Sequence, residues 1–160
     1  MKTKLAIPLL SVLAGVASVG VGTAGAADTA VRPTLVIRHQ AHGCHAWSLN
    51  GNAYKPSQAL TIHRGAFLAI TNNDVMPHKL VETRGPAVTM TRVSAGMPGK
   101  GMGLTGTFPP AMMARMSAVV KVTFTKPGVY TFITKPGEDY MSGMKTIGAD
   151  NVLRLTVTVN

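Results

Sequence analysis

The chain has 160 residues, 46% of them apolar and 14% charged, with 16 basic against 6 acidic side chains, 17 glycines, 10 prolines, ten methionines and one cysteine. This length suits one domain, and a mean hydropathy of +0.21 excludes disorder, while the unperiodic glycines exclude collagen. A lone cysteine excludes a disulfide framework and any all-thiolate zinc or iron–sulfur centre, which need about four sulfurs, and leaves a mixed His/Cys/Met site open.

Met1 to Lys4 is basic, Leu5 to Gly22 is apolar and built from small residues, and Ala24-Gly25-Ala26 fits the small-x-small rule for signal cleavage. Residues 1–26 therefore read as a secretory signal, cut after Ala26 or Ala27. With no basic stop-transfer flank, no stable membrane insertion is expected after cleavage. Removing Lys2 and Lys4 from the 16 basic residues leaves 14 against 6 acidic ones, a charge of +8. Export, and basic residues scattered singly, speak against nucleic acid. A diffuse positive surface toward an acidic protein, lipid head groups or an anionic polymer fits better, beside a plain solubility role.

Residues 27–33 read as a flexible lead-in to a domain over 34–160. From Thr34 onward, short runs rich in Val, Ile, Thr, Phe and Tyr alternate with turn signals. Strands are predicted at Thr34 to His39, Ala59 to His63, Ala66 to Thr71 and His78 to Thr83, with a turn at Asn72-Asn73-Asp74. In the last third Val120, Val122 and Phe124 share a face, then Tyr130, Phe132 and Thr134, then Leu153, Leu155, Val157 and Val159. Seven or eight strands without helical crossovers predict an antiparallel Greek-key β-sandwich. Residues 90–116, rich in Met, Gly and Pro, read as a long loop whose one helix candidate is Ala111 to Ser117, after two prolines. Met112, Met113 and Met116 are expected to pack, whereas Met97 and Met102 are as well suited to soft-metal binding.

His39-Gln40-Ala41-His42-Gly43-Cys44-His45 gathers three histidines and the cysteine within seven residues. Imidazole with thiolate suits copper, and zinc less well given the soft sulfur. On an extended segment His42 and Cys44 point one way and His45 the other, so a site of three or four ligands needs a partner from elsewhere in the fold. Inert structure and an intermolecular disulfide are the alternatives. Trp47 reads as core.

The second signal is Asn72-Asn73-Asp74-Val75-Met76-Pro77-His78-Lys79-Leu80. With Tyr54-Lys55-Pro56 leading to Gly65, and with Tyr130-Thr131-Phe132-Ile133-Thr134-Lys135-Pro136-Gly137-Glu138 through Met141 and Met144, it resembles the cupredoxin family over nearly all of residues 34–160. The resemblance implies that His78 stands at the first copper-ligand histidine and Met144, or Met141, at the methionine. It also implies that the family's cysteine falls on Ile133 or Thr134 and its second histidine on Glu138, so the usual His₂Cys plane is not carried over. The resemblance further implies that the loops around 39–47, 74–78 and 134–144 meet at one end of the sandwich. A relocated site is expected there: Cys44 as thiolate, His78 as one imidazole, His42 or His45 as the second, and Met144, Met76 or Glu138 as a weak fourth ligand.

The resulting expectation is an exported protein binding one copper ion for single-electron transfer or copper carriage, docking an acidic redox or copper-handling partner. The alternative is a metal-free interaction module whose site has decayed. No Ser/His/Asp order, paired carboxylates in a cleft or phosphate loop suggests an enzyme.

Overall fold

Alternation of apolar and polar residues at period two sets the architecture. The computed structural model describes residues 32–40, 45–97, 106–136 and 152–160, in which ten strands form and no helix does. They are β1 Thr34–His39, β2 His45–Leu49, β3 Ser57–Ile62, β4 Phe67–Asn72, β5 His78–Arg84, β6 Thr89–Ala95, β7 Met112–Met113, β8 Ala118–Thr123, β9 Gly128–Pro136 and β10 Leu153–Val159. One sheet has the order β2-β1-β4-β8-β6 and the other β3-β10-β9-β5-β7. The expected signal over 1–26, most of the lead-in, and His42, Cys44, Met102, Glu138, Met141 and Met144 lie outside the described residues.

The all-β sandwich expected from alternation is present, with ten strands rather than seven or eight. It is also mixed rather than wholly antiparallel, since β1 runs parallel to β4 and β3 parallel to β10. Alternation assigns faces but carries no information on strand direction. The direction follows from the chain's crossing between sheets, through β2 and β3, before β4 returns beside β1.

Leu35, Ile37, Trp47, Leu68, Ile70, Val120, Val122 and Phe124 from one side meet Leu80, Tyr130, Phe132, Leu155 and Val157 from the other, all nearly or wholly buried. Edge-to-face packing of Phe124 on Tyr130 and Phe132, with centroids 5.0 and 6.1 Å apart, fills the centre. The Tyr130 hydroxyl, at the rim, donates to the Lys126 carbonyl at 2.6 Å. Gly85 closes the turn after β5 at a φ of +130°, where a methyl would stand 2.7 Å from Tyr130 Cδ1. Only glycine meets both demands.

Two expectations for residues 90–116 are corrected. Thr89–Ala95 is a full strand against β8, and the predicted helix at Ala111–Ser117 is absent. Met112 and Met113 instead pair with Lys79 and His78 on β5, and the Leu80 amide donates to the Ala111 carbonyl at 3.0 Å. Seven residues are too few for a stable helix, and the open side of β5 offers their backbone other partners. Met112 and Met113 are buried as expected of packing residues, and Met97 is exposed.

Candidate metal centre

At one end of the sandwich the inward-facing rows change from apolar to polar. On β1 the inner series Leu35, Ile37 ends in His39, whose cross-strand partner on β2 is His45. On β4 Leu68 and Ile70 are followed by Asn72. Across the core, Leu80 on β5 is preceded by His78, and Tyr130 and Phe132 on β9 are followed by Thr134. Because side chains two apart share a face, these polar groups cap the core. Asn72, His78 and Thr134 are fully buried, and His45 and Asp74 nearly so.

The Asn72-Asn73-Asp74 turn is held by its own side chains. Asn72 Oδ1 accepts from the Asp74 amide at 3.0 Å and Asp74 Oδ1 from the Met76 amide at 3.0 Å, side-chain-to-backbone bonds that suit Asn and Asp to turns. Asn72 Nδ2 donates to the carbonyls of Met76 and Met113 at 2.8 and 3.1 Å. The Asn73 amide bonds to the Ile37 carbonyl at 2.8 Å, tying the turn to β1.

The turn places Asp74 between two imidazoles. Its Oδ2 lies 2.6 Å from His45 Nδ1 and 3.8 Å from His78 Nε2, the second too long for a hydrogen bond. The rings of His45 and His78 are 4.9 Å apart and nearly perpendicular, and His39 stands edge-on to His45 at 5.6 Å. Burial by itself would raise the Asp74 carboxyl. The hydrogen bond to His45, the proximity of His78, the Met76 amide and the charge of His45 together outweigh it and hold the group well below the usual carboxylate range. For His78, burial is the main effect and depresses its basicity, with Asp74 opposing and His45 adding to the depression.

His78 Nδ1 lies 3.2 Å from Thr134 Oγ1, while its Nε2 is buried without a hydrogen-bond partner. One donor atom from each of His39, His45 and Asp74 lies within 4.8 Å of the other two, a spacing that could hold an ion.

Of the residues singled out in the sequence, His45 and His78 are thus neighbours. Met76 lies half-buried in the turn, and its backbone is engaged by Asn72 and Asp74. His42, Cys44, Glu138 and Met144 are outside the described residues. Two groups were missed as site members, Asp74, treated only as a turn residue, and Thr134; His39, part of the histidine cluster but not among the expected ligands, stands as the cross-strand partner of His45. The signal for Asp74 was its place in an Asn-x-Asp turn four residues before a histidine. Nothing in the sequence says that its carboxylate reaches β2.

No family model matches the chain, and no curated protein matches it. Among solved structures it is similar to an amicyanin mutant with Cu(I), at 15% identity over 78% of this chain and 80% of that one, with a TM-score of 0.37. It is similar as well to a purple cupredoxin from Nitrosopumilus maritimus, at 17% identity over 78% and 98%, with a TM-score of 0.37. A cysteine protease inhibitor from Entamoeba histolytica matches at 10% identity over 79% and 95%, with a TM-score of 0.41. Values this low assign no residue a role, so the site stands on its own geometry. Thr134, one of the two positions at which the sequence resemblance puts the family's cysteine, faces His78, whereas Ile133 points to the other side of β9. A hydroxyl therefore stands at a position to which the sequence resemblance assigns a thiolate.

The described donors still suit a metal. Two imidazoles and a carboxylate match oxidised copper or zinc, whereas reduced copper favours sulfur. The buried, unpaired Nε2 of His78 is a free lone pair or N–H facing an anionic group, an arrangement that binding of a cation would satisfy.

Proposed function

We propose that the chain is an exported copper-binding protein acting in single-electron transfer or copper carriage, with the copper held at the His45–Asp74–His78 end of the sandwich. One observation carries this reading: two imidazoles 4.9 Å apart with a buried carboxylate between them and His78 Nε2 unpaired. His45 and His78 supply imidazoles, with His42 the alternative to His45. Cys44, adjoining His45 in sequence, supplies the thiolate, and Met76, Met144 or Glu138 a weak fourth ligand. Copper, when bound, supplies one-electron exchange between its two oxidation states. The chain's part is positional: β2 and β5 fix the two rings from opposite sheets, and Asp74 orients His45 as a carboxylate partner orients a metal-bound histidine.

The excess of 14 basic over 6 acidic residues that remains once Lys2 and Lys4 are removed with the signal fits docking to an acidic redox or copper-handling partner. Segment 1–26 would direct export. No helix among the described residues is long and apolar enough to cross a membrane.

Titration with Cu(I) and with Cu(II), following visible absorption and stoichiometry, tests the reading on wild type, Cys44→Ser and His78→Gln. One equivalent bound, with intense absorption lost in Cys44→Ser, supports the thiolate site and electron transfer. Tight colourless Cu(I) binding supports carriage, and no stoichiometric binding of either ion overturns the copper reading. A metal-free interaction module draws on the Thr134–His78 contact and on the hydrogen bonding of both Asp74 oxygens, which closes much of the network from within.

A further inference from the structure

The histidines at this end form a graded series. His39 is exposed, His45 has 4% of its surface accessible and His78 none. Successive rings stand 5.6 and 4.9 Å apart, each nearly perpendicular to the next. Asp74 lies along this series, and its ion-pair partners among the described residues are imidazoles, not Lys or Arg. A buried carboxylate with no Lys or Arg beside it among the described residues favours a positive charge there.

We propose that His39, His45 and Asp74 form an outer, solvent-facing position for a divalent cation, from which an ion passes inward to His78. Donors bound to one ion at about 2.0–2.2 Å stand at most about 4.4 Å apart. The 4.8 Å group therefore closes on an ion with a small movement, which the exposed His39 side chain can supply. An ion shared by His45 and Asp74 would take the place of the proton that joins His45 Nδ1 to Asp74 Oδ2 at 2.6 Å. The register of the β1–β2 pair sets His39 and His45 directly opposite each other on the core-facing side, so the pairing of two imidazoles is fixed by the sheet rather than by a loop. The outer position stands on this geometry alone, whereas transfer to His78 rests on the copper reading above.

The chain's single tryptophan, Trp47, follows His45 by two residues on the same face of β2 and is fully buried, which makes its fluorescence a reporter for Cu(II) quenching. In stopped-flow mixing of the full chain with Cu(II), wild type should show rapid quenching. His39→Gln should slow that phase or weaken binding by at least about tenfold, a loss typical of disturbed metal shells, with its urea midpoint unchanged. His39→Asp, which keeps a ligand at the surface, should restore part of the rate. Persistence of the His39-dependent phase in His78→Gln supports the outer position even where the inner site fails. Wild-type rate and affinity in His39→Gln overturn the outer position while leaving the copper reading intact, and absence of Cu(II) binding by wild type overturns both.

Discussion

His78 occupies the core face of β5 with its ring fully enclosed, so its protonation is coupled to folding. Burial first, and the charge of His45 second, lower its basicity below the ordinary value of 6.5, against the opposing pull of Asp74. Below pH 6.5, down to the depressed folded value, the unfolded chain takes up a proton here that the folded chain does not. Stability therefore rises with pH through this window and is lost on acidification. Asp74 contributes no slope there. Its stabilisation is present above the ordinary carboxylate value of 3.8 and is lost only as pH falls through its depressed folded value. Urea unfolding of the metal-free protein should show stability dropping between about pH 7 and pH 5, by at most about 1.4 kcal/mol per pH unit for one proton. His78→Gln should flatten that slope. An equal slope in the variant would locate the proton uptake at another group.

At the scale of elements, the 72–76 turn and the Met112–Met113 strand depend on one amide side chain. Asn72 bonds to the carbonyls of Met76 and Met113 and to the amide of Asp74. Asn72→Ala would leave these three buried or partly buried backbone groups without that partner, at a cost of at least about 2 kcal/mol. The expected outcome is a lower unfolding midpoint together with faster hydrogen exchange at the Asp74 and Met76 amides. Protection unchanged at both amides would show that the backbone holds the turn without Asn72. The sequence marked this stretch as a turn from its Asn and Asp content. It could not reveal that the same asparagine also binds Met113, 41 residues away, because such a contact exists only once β4 and β7 are brought together. The failed helix at 111–117 has the same origin. Local signals favoured a helix start after Pro110, and pairing with β5 prevailed over them.

For the whole molecule, the formal net charge of +10 makes self-repulsion a general term. Among the described residues the ion pairs are His–Asp contacts at the buried site, not Lys or Arg with carboxylate. Screening should therefore stabilise the fold. Raising salt from about 0.05 M to about 0.5 M, which shortens the screening length severalfold, should raise the thermal midpoint. A midpoint that falls with salt would mean that attractive pairs dominate instead.

The sequence by itself determined that the domain is built of strands, which residues of β8, β9 and β10 share a face, and that His45 and His78 were worth watching. Period-two alternation and residue chemistry are local properties, readable a few residues at a time. Only the tertiary structure decided the parallel pairings, the capture of 112–113 by β5, the place of Thr134 against His78, and the seat of Asp74 between two imidazoles from opposite sheets. Each depends on strands far apart in sequence meeting in a particular direction and register, and the side-chain pattern of a single strand does not encode which neighbour it will have.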